Sequence, residues 1–107
     1  MMITPSPAVA GHRITQTLGL VRGNTIRARH VGKDILAGFR NIVGGEVSEY
    51  TKMMAESREQ ALDRMVAEAE ELGADAIVSL RFATSYVMGS ASEILAYGDA
   101  VKLEMDL

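Results

Sequence analysis

The chain of 107 residues contains no cysteine, no tryptophan and only two prolines. Without cysteine there is no disulfide framework, no thiolate metal cage and no cysteine nucleophile. Aromatic residues make up 5% of the chain, so Phe39, Phe82, Tyr50, Tyr86 and Tyr97 are all it could offer for stacking on unpaired bases. No hydrophobic run approaches the roughly 20 residues of a membrane span. Residues 1–10 lack the basic start and the uninterrupted apolar core of a signal peptide. A cytoplasmic protein with no membrane partner is the expectation.

What is present fits one domain spanning residues 1–107. Hydrophobic residues make up 48%, charged residues 23%, and the net charge is −3. Two independent cores do not fit in this length. Charge is uneven along the chain. Residues 1–45 hold six basic residues against one acidic, +5, and residues 46–107 hold five against thirteen, −8. The basic half invites comparison with nucleic-acid-binding surfaces. Its arginines are dispersed, however, and no aromatics are interleaved with them. Pairing of Arg27 and Arg29 with Glu68, Glu71 or Glu104 is the simpler expectation, with no nucleic-acid partner.

Residues 1–10 read as an irregular lead-in, because Pro5 and Pro7 block regular structure. His12 to Arg22 alternates, with Ile14, Gln16, Leu18 and Leu20 on one face, as a strand does. Arg22-Gly23-Asn24 reads as a bend or bulge, and Thr25 to Val31 continues extended. Residues 34–43 change period: Ile35, Leu36, Phe39, Ile42 and Val43 form one helical stripe, begun by Asp34 and ended by Gly44-Gly45. A long helix is expected from about Ser48 to Leu72. Tyr50, Met54, Ser57, Ala61, Met65, Ala69 and Leu72 form its inner face, Met53, Leu62 and Val66 widen it, and Gly73 stops it. Asp75–Met88 and Glu93–Leu107 read as a hairpin around Gly89-Ser90-Ala91-Ser92, with Gly98 marking a bulge and Val101, Leu103 and Met105 pointing inward.

The expected fold is α+β: a small, mainly antiparallel sheet with one short and one long helix, in the order β-α-α-β-β. Twenty-five helical residues span roughly 37 Å. A compact domain of this length has a radius of gyration of about 13 Å and a diameter of about 33 Å. The helix should therefore run the full length of the subunit. Its broad alanine- and methionine-rich face, together with open sheet edges, points to a homo-oligomer.

Chemistry-bearing motifs are few. No serine sits in a Gly-x-Ser-x-Gly elbow, and Ser79, Ser85, Ser90 and Ser92 lie near the last two strands without a base at a fixed spacing. Glu70-Glu71 sits on an exposed helix end. Gly44-Gly45-Glu46 lacks a phosphate-loop lysine, and Glu46 puts negative charge where an anion would bind. No catalytic residue and no organic cofactor is assigned, and the chain is not expected to be an enzyme. The candidate metal ligands are His12 and His30, which could meet if their strands met, joined by Glu46 or Asp75. Such a set would take a divalent or soft metal ion: imidazole suits zinc, copper or nickel, and methionine thioethers suit copper(I).

Several segments together resemble one family. They are Arg22-Gly23-Asn24-Thr25-Ile26-Arg27-Ala28-Arg29-His30, Asp34-Ile35, Arg40-Asn41-Ile42-Val43-Gly44-Gly45-Glu46, Tyr50, Glu68-Ala69-Glu70-Glu71-Leu72-Gly73-Ala74-Asp75-Ala76-Ile77 and Glu93-Ile94-Leu95-Ala96-Tyr97-Gly98. From about Gly11 to Glu104 the chain is similar to the YbjQ family of small prokaryotic proteins, which carries the label "putative heavy-metal-binding". The resemblance implies an α+β fold and a ring-shaped homopentamer. It carries over no catalytic residue. The function expected is a non-enzymatic homopentameric binding or scaffold module. The alternative is a metal- or small-ligand-binding protein with sites between subunits.

Overall fold

The computed structural model describes residues 1–28, 48–88 and 91–106. The elements are β1 (Met2–Ile3), β2 (His12–Ala28), α1 (Ser48–Glu71), β3 (Ala76–Met88) and β4 (Ala91–Met105). They form one four-stranded sheet in the order β1-β3-β4-β2. β4 lies between β3 and β2 and is antiparallel to both, whereas β1 is parallel to β3, with Met2 opposite Ala76 and Ile3 opposite Ile77.

This corrects the expected β-α-α-β-β order. Among the described residues the order is β-β-α-β-β, the sheet is mixed, and a single helix packs on it. The expected short helix over 34–43, with Gly44-Gly45 at its end, lies outside the described residues. The irregular lead-in is corrected too. Two of its residues form β1, and the segment after it follows β3 closely: Thr4 N–H donates to Ile77 O at 3.0 Å, Leu80 N–H to Thr4 O at 3.1 Å and Ser79 N–H to Ser6 O at 2.9 Å. A two-residue parallel strand is too short to leave a period in the sequence, and its partner lies more than seventy residues away.

α1 forms where the 3.6-residue period places small and flexible side chains in one row. Ser57, Ala61, Met65 and Ala69 are four residues apart and all fully buried. Met54, Leu62 and Val66 are half-buried beside them, and Glu56, Glu59, Asp63 and Glu70 face water. The helix ends as the sequence predicts. Gly73 takes φ +74°, its N–H donates to Glu70 O at 3.0 Å, and Ala74 N–H donates to Ala69 O at 3.1 Å. This is the paired bonding of a left-handed glycine cap.

The row of small side chains lets α1 lie directly on β2. A Cβ at Gly23 would stand 2.2 Å from Ala61 O and 2.4 Å from Met65 N. Gly23 is thus required by the helix above it, not by a bend: it pairs with Ala96 inside a continuous strand. The irregularities of β2 fall earlier, between Ile14 and Gln16 and between Thr17 and Gly19. Gly98 likewise pairs in register with Val21, and a Cβ there would stand 2.7 Å from Ile77 Cγ2. The bulge is on the opposite strand, between Val78 and Arg81, where Ser79 has φ +55°.

The sheet carries apolar groups on both faces. On the helix side Val21, Ile77, Ile94, Ala96 and Ala100 join the buried row of α1. On the other side Val9 closes over Ala76, Val78 and Val101, with Leu103 at the rim. Val101 and Leu103 therefore point inward as expected, but toward the lead-in segment and not the helix. Met105 is 69% exposed. The molecule measures 58 × 26 × 16 Å with a radius of gyration of 17.7 Å. Its length comes from the strands, since the 17 residues of β2 span about 56 Å at ~3.3 Å each. α1, with 24 residues and about 36 Å, is shorter than the subunit it was expected to traverse.

Candidate functional site

The two candidate metal ligands are not equally placed. His12 opens β2, half-buried, with Nδ1 3.2 Å from the carbonyl oxygen of Ala10. An N–H at Nδ1 donating to that oxygen leaves Nε2 as the ring's lone pair. Met105 is directly opposite His12 across the strands, a spacing at which a thioether and an imidazole can bind one metal ion together. Sequence reading passed over this pair, because only the register brings residues 93 positions apart to the same rung. His30 and Glu46 lie outside the described residues. Asp75, the other proposed neighbour, is engaged elsewhere: Oδ2 accepts Leu103 N–H at 2.9 Å, and Oδ1 is 4.0 Å from Lys102 Nζ. Among the described residues no group of three or more histidine, aspartate and glutamate side chains is gathered to hold a metal ion.

The serines and carboxylates are used in cross-links. Glu93 of β4 bridges all three long strands, accepting from Asn24 Nδ2 of β2 at 3.0 Å and from Ser85 Oγ of β3 at 3.3 Å. Ser79 sits in the β3 bulge, and Ser90 lies outside the described residues. The arginines are local clamps. Arg13 pairs with Glu104 at 2.5 Å, both side chains being more than half exposed. Arg27 donates to Gln60 Oε1 at 2.9 Å, and Arg64 to the carbonyl of Asn24 at 2.5 Å. Arg27 thus binds α1 through a neutral amide instead of the expected Glu68 or Glu71. Arg29 lies outside the described residues.

The most distinctive surface is one that residue motifs do not reveal. α1 covers β2 and part of β4 and barely touches β3. Phe82 and Tyr86 stand on the helix side of β3, 45% and 73% exposed. Between them and α1 runs an open groove of about 320 Å³, lined by Thr51, Met54, Arg58, Phe82, Thr84 and Ile94. On the opposite face Leu20 and Ile26 are 56% and 57% exposed. The one helix among the described residues, about 10 Å wide, cannot cover three strands spaced ~4.8 Å apart, and a sequence read as two helices gives no such signal.

Among the described residues these features define a small α+β domain with several large apolar side chains exposed on open sheet faces. No described helix is long and apolar enough to cross a membrane. The chain belongs to the YbjQ family, whose model, described as "Putative heavy-metal-binding", matches residues 1–104. It is 61% identical over 104 residues to a UPF0145 protein of Dehalococcoides mccartyi, covering 97% of this chain and 100% of that protein. It is 57% identical over 103 residues to a UPF0145 protein of Methanosarcina acetivorans, covering 96% and 97%. Among solved structures, a DUF74-family protein of unknown function from Pediococcus pentosaceus matches with a TM-score of 0.70 at 18% identity, covering 97% of this chain and 98% of that one. That likeness concerns the fold. The family description names binding; neither it nor the relatives' names state a reaction.

Proposed function

We propose that the protein is a non-enzymatic, homopentameric binding or scaffold module of the cytoplasm. The observation that carries this reading is the placement of Phe82, Tyr86, Leu20 and Ile26, large apolar groups about half or more exposed on a sheet in which the outer edges of β2 and of β3 beyond Leu80 have no partner strand among the described residues. Exposed apolar columns beside unpaired edges are what association between copies covers. Light scattering coupled to size exclusion tests it. The expected mass is about five times the 11.5 kDa of one chain; a single species of one chain's mass at micromolar concentration would sink the reading.

The second reading, a soft-metal or small-ligand site formed between subunits, is favoured by the His12–Met105 rung and by the family description. Two ligands from one copy leave coordination positions for a neighbouring copy, and His30 remains a proposed ligand in that set. Imidazole with thioether suits copper(I) best. Native mass spectrometry of protein purified without a metal column decides it. Stoichiometric copper, zinc or nickel that disappears in His12→Ala supports the site, and metal-free protein showing no thermal shift with added metal removes it.

A further inference from the structure

We propose that the outer edge of β3, from Arg81 onward, is completed by the outer edge of β2 from a second copy, in parallel, so that the neighbour's α1 covers Phe82 and Tyr86. This rests on the homo-oligomeric reading above and specifies its interface.

Four observations lead to it. First, the two free edges belong to strands that point the same way, because β2 and β3 are each antiparallel to β4. Rotation about an axis preserves strand direction along that axis, so β2 of one copy meets β3 of the next in parallel. Such a head-to-tail contact repeats around a closed assembly. Second, β3 already accepts a parallel strand at its start. β1 and the lead-in occupy its outer edge as far as Leu80, and from there on the edge has no partner strand among the described residues. Third, the regular parts match. β2 is free of register shifts from Gly19 to Ala28, and β3 from Arg81 to Tyr86.

The fourth observation is the position of α1. Gly23 lies under Ala61 and Met65, and Thr25 Oγ1 donates to Ser57 O at 3.2 Å. The helix therefore sits over the edge strand, while among the described residues Phe82 and Tyr86 on its own β3 stay 45% and 73% exposed. In a sheet continued from β3 to the next β2, helices recur every three strands, about 14 Å apart. Helices in direct contact pack at about 8–10 Å. The remaining ~5 Å is filled by the side chains standing on β3 between them, and these are Phe82, Thr84 and Tyr86. The alternatives fail on the same geometry. Pairing β2 with β2 about a two-fold axis brings the two helices together but leaves Phe82 and Tyr86 of both copies exposed. Pairing β3 with β3 sets two bare columns side by side and covers neither.

The test uses the absence of native cysteine. Ala83→Cys on β3 is combined in turn with Arg22→Cys, Asn24→Cys and Ile26→Cys on β2. All four positions are exposed. Within one chain β4 separates the two strands, roughly 10 Å, beyond disulfide reach. Each variant is first checked under reducing conditions for the wild-type mass, then oxidised mildly, and in parallel treated with a short bismaleimide. The expected result is a ladder of covalent dimers, trimers and higher species, up to the full assembly, in at least one double variant. Each single-cysteine variant should stay uncrosslinked. Dimers from single-cysteine variants would mean like edges pair, and would overturn the proposal. Oligomers of wild-type mass without a ladder in any pair, by either reagent, would also overturn it and leave the homo-oligomer standing. A monomeric wild-type protein would remove the homo-oligomer itself.

Discussion

Single glycines decide where α1 can sit. At Gly23 a methyl group would meet Ala61 O and Met65 N at 2.2 and 2.4 Å, and both are backbone atoms of a helix that cannot yield by rotating a side chain. Gly23→Ala should therefore cost toward the upper end of the overpacking range, about 3 kcal/mol. A urea midpoint measured at fixed protein concentration checks it, with an unchanged slope showing that stability alone has shifted. By contrast, Arg13 and Glu104 form an ion pair in which both side chains are largely in water, and such pairs contribute little. Legibility at this scale was uneven. The buried faces of Ser57, Ala61, Met65 and Ala69 follow from spacing within one segment. The purpose of Gly23 does not, because what makes it necessary is a helix thirty-eight or more residues further along the chain. His12 was read as a candidate ligand, but its partner Met105 needed the register.

At the scale of elements, the end of α1 was readable because its cap is local. Gly73 has φ +74°, a conformation that costs an L-residue roughly 1–2 kcal/mol. Gly73→Ala should lower stability by about 1 kcal/mol and Gly73→Asn by less, which thermal or urea unfolding of the two variants side by side resolves. The antiparallel pairing of β3 with β4 was equally readable from alternation, although Ala91 and Ser92, expected in the turn, belong to β4. β2 was expected as two pieces and is one strand, because a glycine in the middle of an alternating run looks the same whether the chain bends there or something packs closely above it. β1 left no signal: two residues carry no period, and its pairing depends on the start of β3.

The described part of the molecule is long and flat, with extents of 58 × 26 × 16 Å, because the strands set its long axis. Composition speaks to average density, and it is silent on whether a sheet is wrapped by helices or left partly bare. Charge belongs to this scale as well. Five copies of a chain of net charge −3 would carry about −15, so attraction to a polyanion is weak or reversed unless the signs are well separated. The expected outcome is no measurable binding of random oligonucleotides at about 0.15 M salt by fluorescence anisotropy. Tight binding that is lost on changing Arg27 and Arg29 to alanine would contradict this.

The placement of β4 has a kinetic consequence. It is the central strand of the sheet and the last of the described strands in the chain. β2 therefore has no partner among the other described strands until residues as remote as Met105 have come back to His12. A sheet whose middle is supplied last cannot zip from a local hairpin at β2. It must close a long loop before most of its pairing is rewarded, which is the topology of slow folders. After dilution from denaturant, far-ultraviolet circular dichroism should show α1 gaining signal early, and sheet signal following in milliseconds to seconds. On the ribosome, β2 and α1 would emerge and wait, with no other described strand to pair with β2, until the final strand arrives between it and β3.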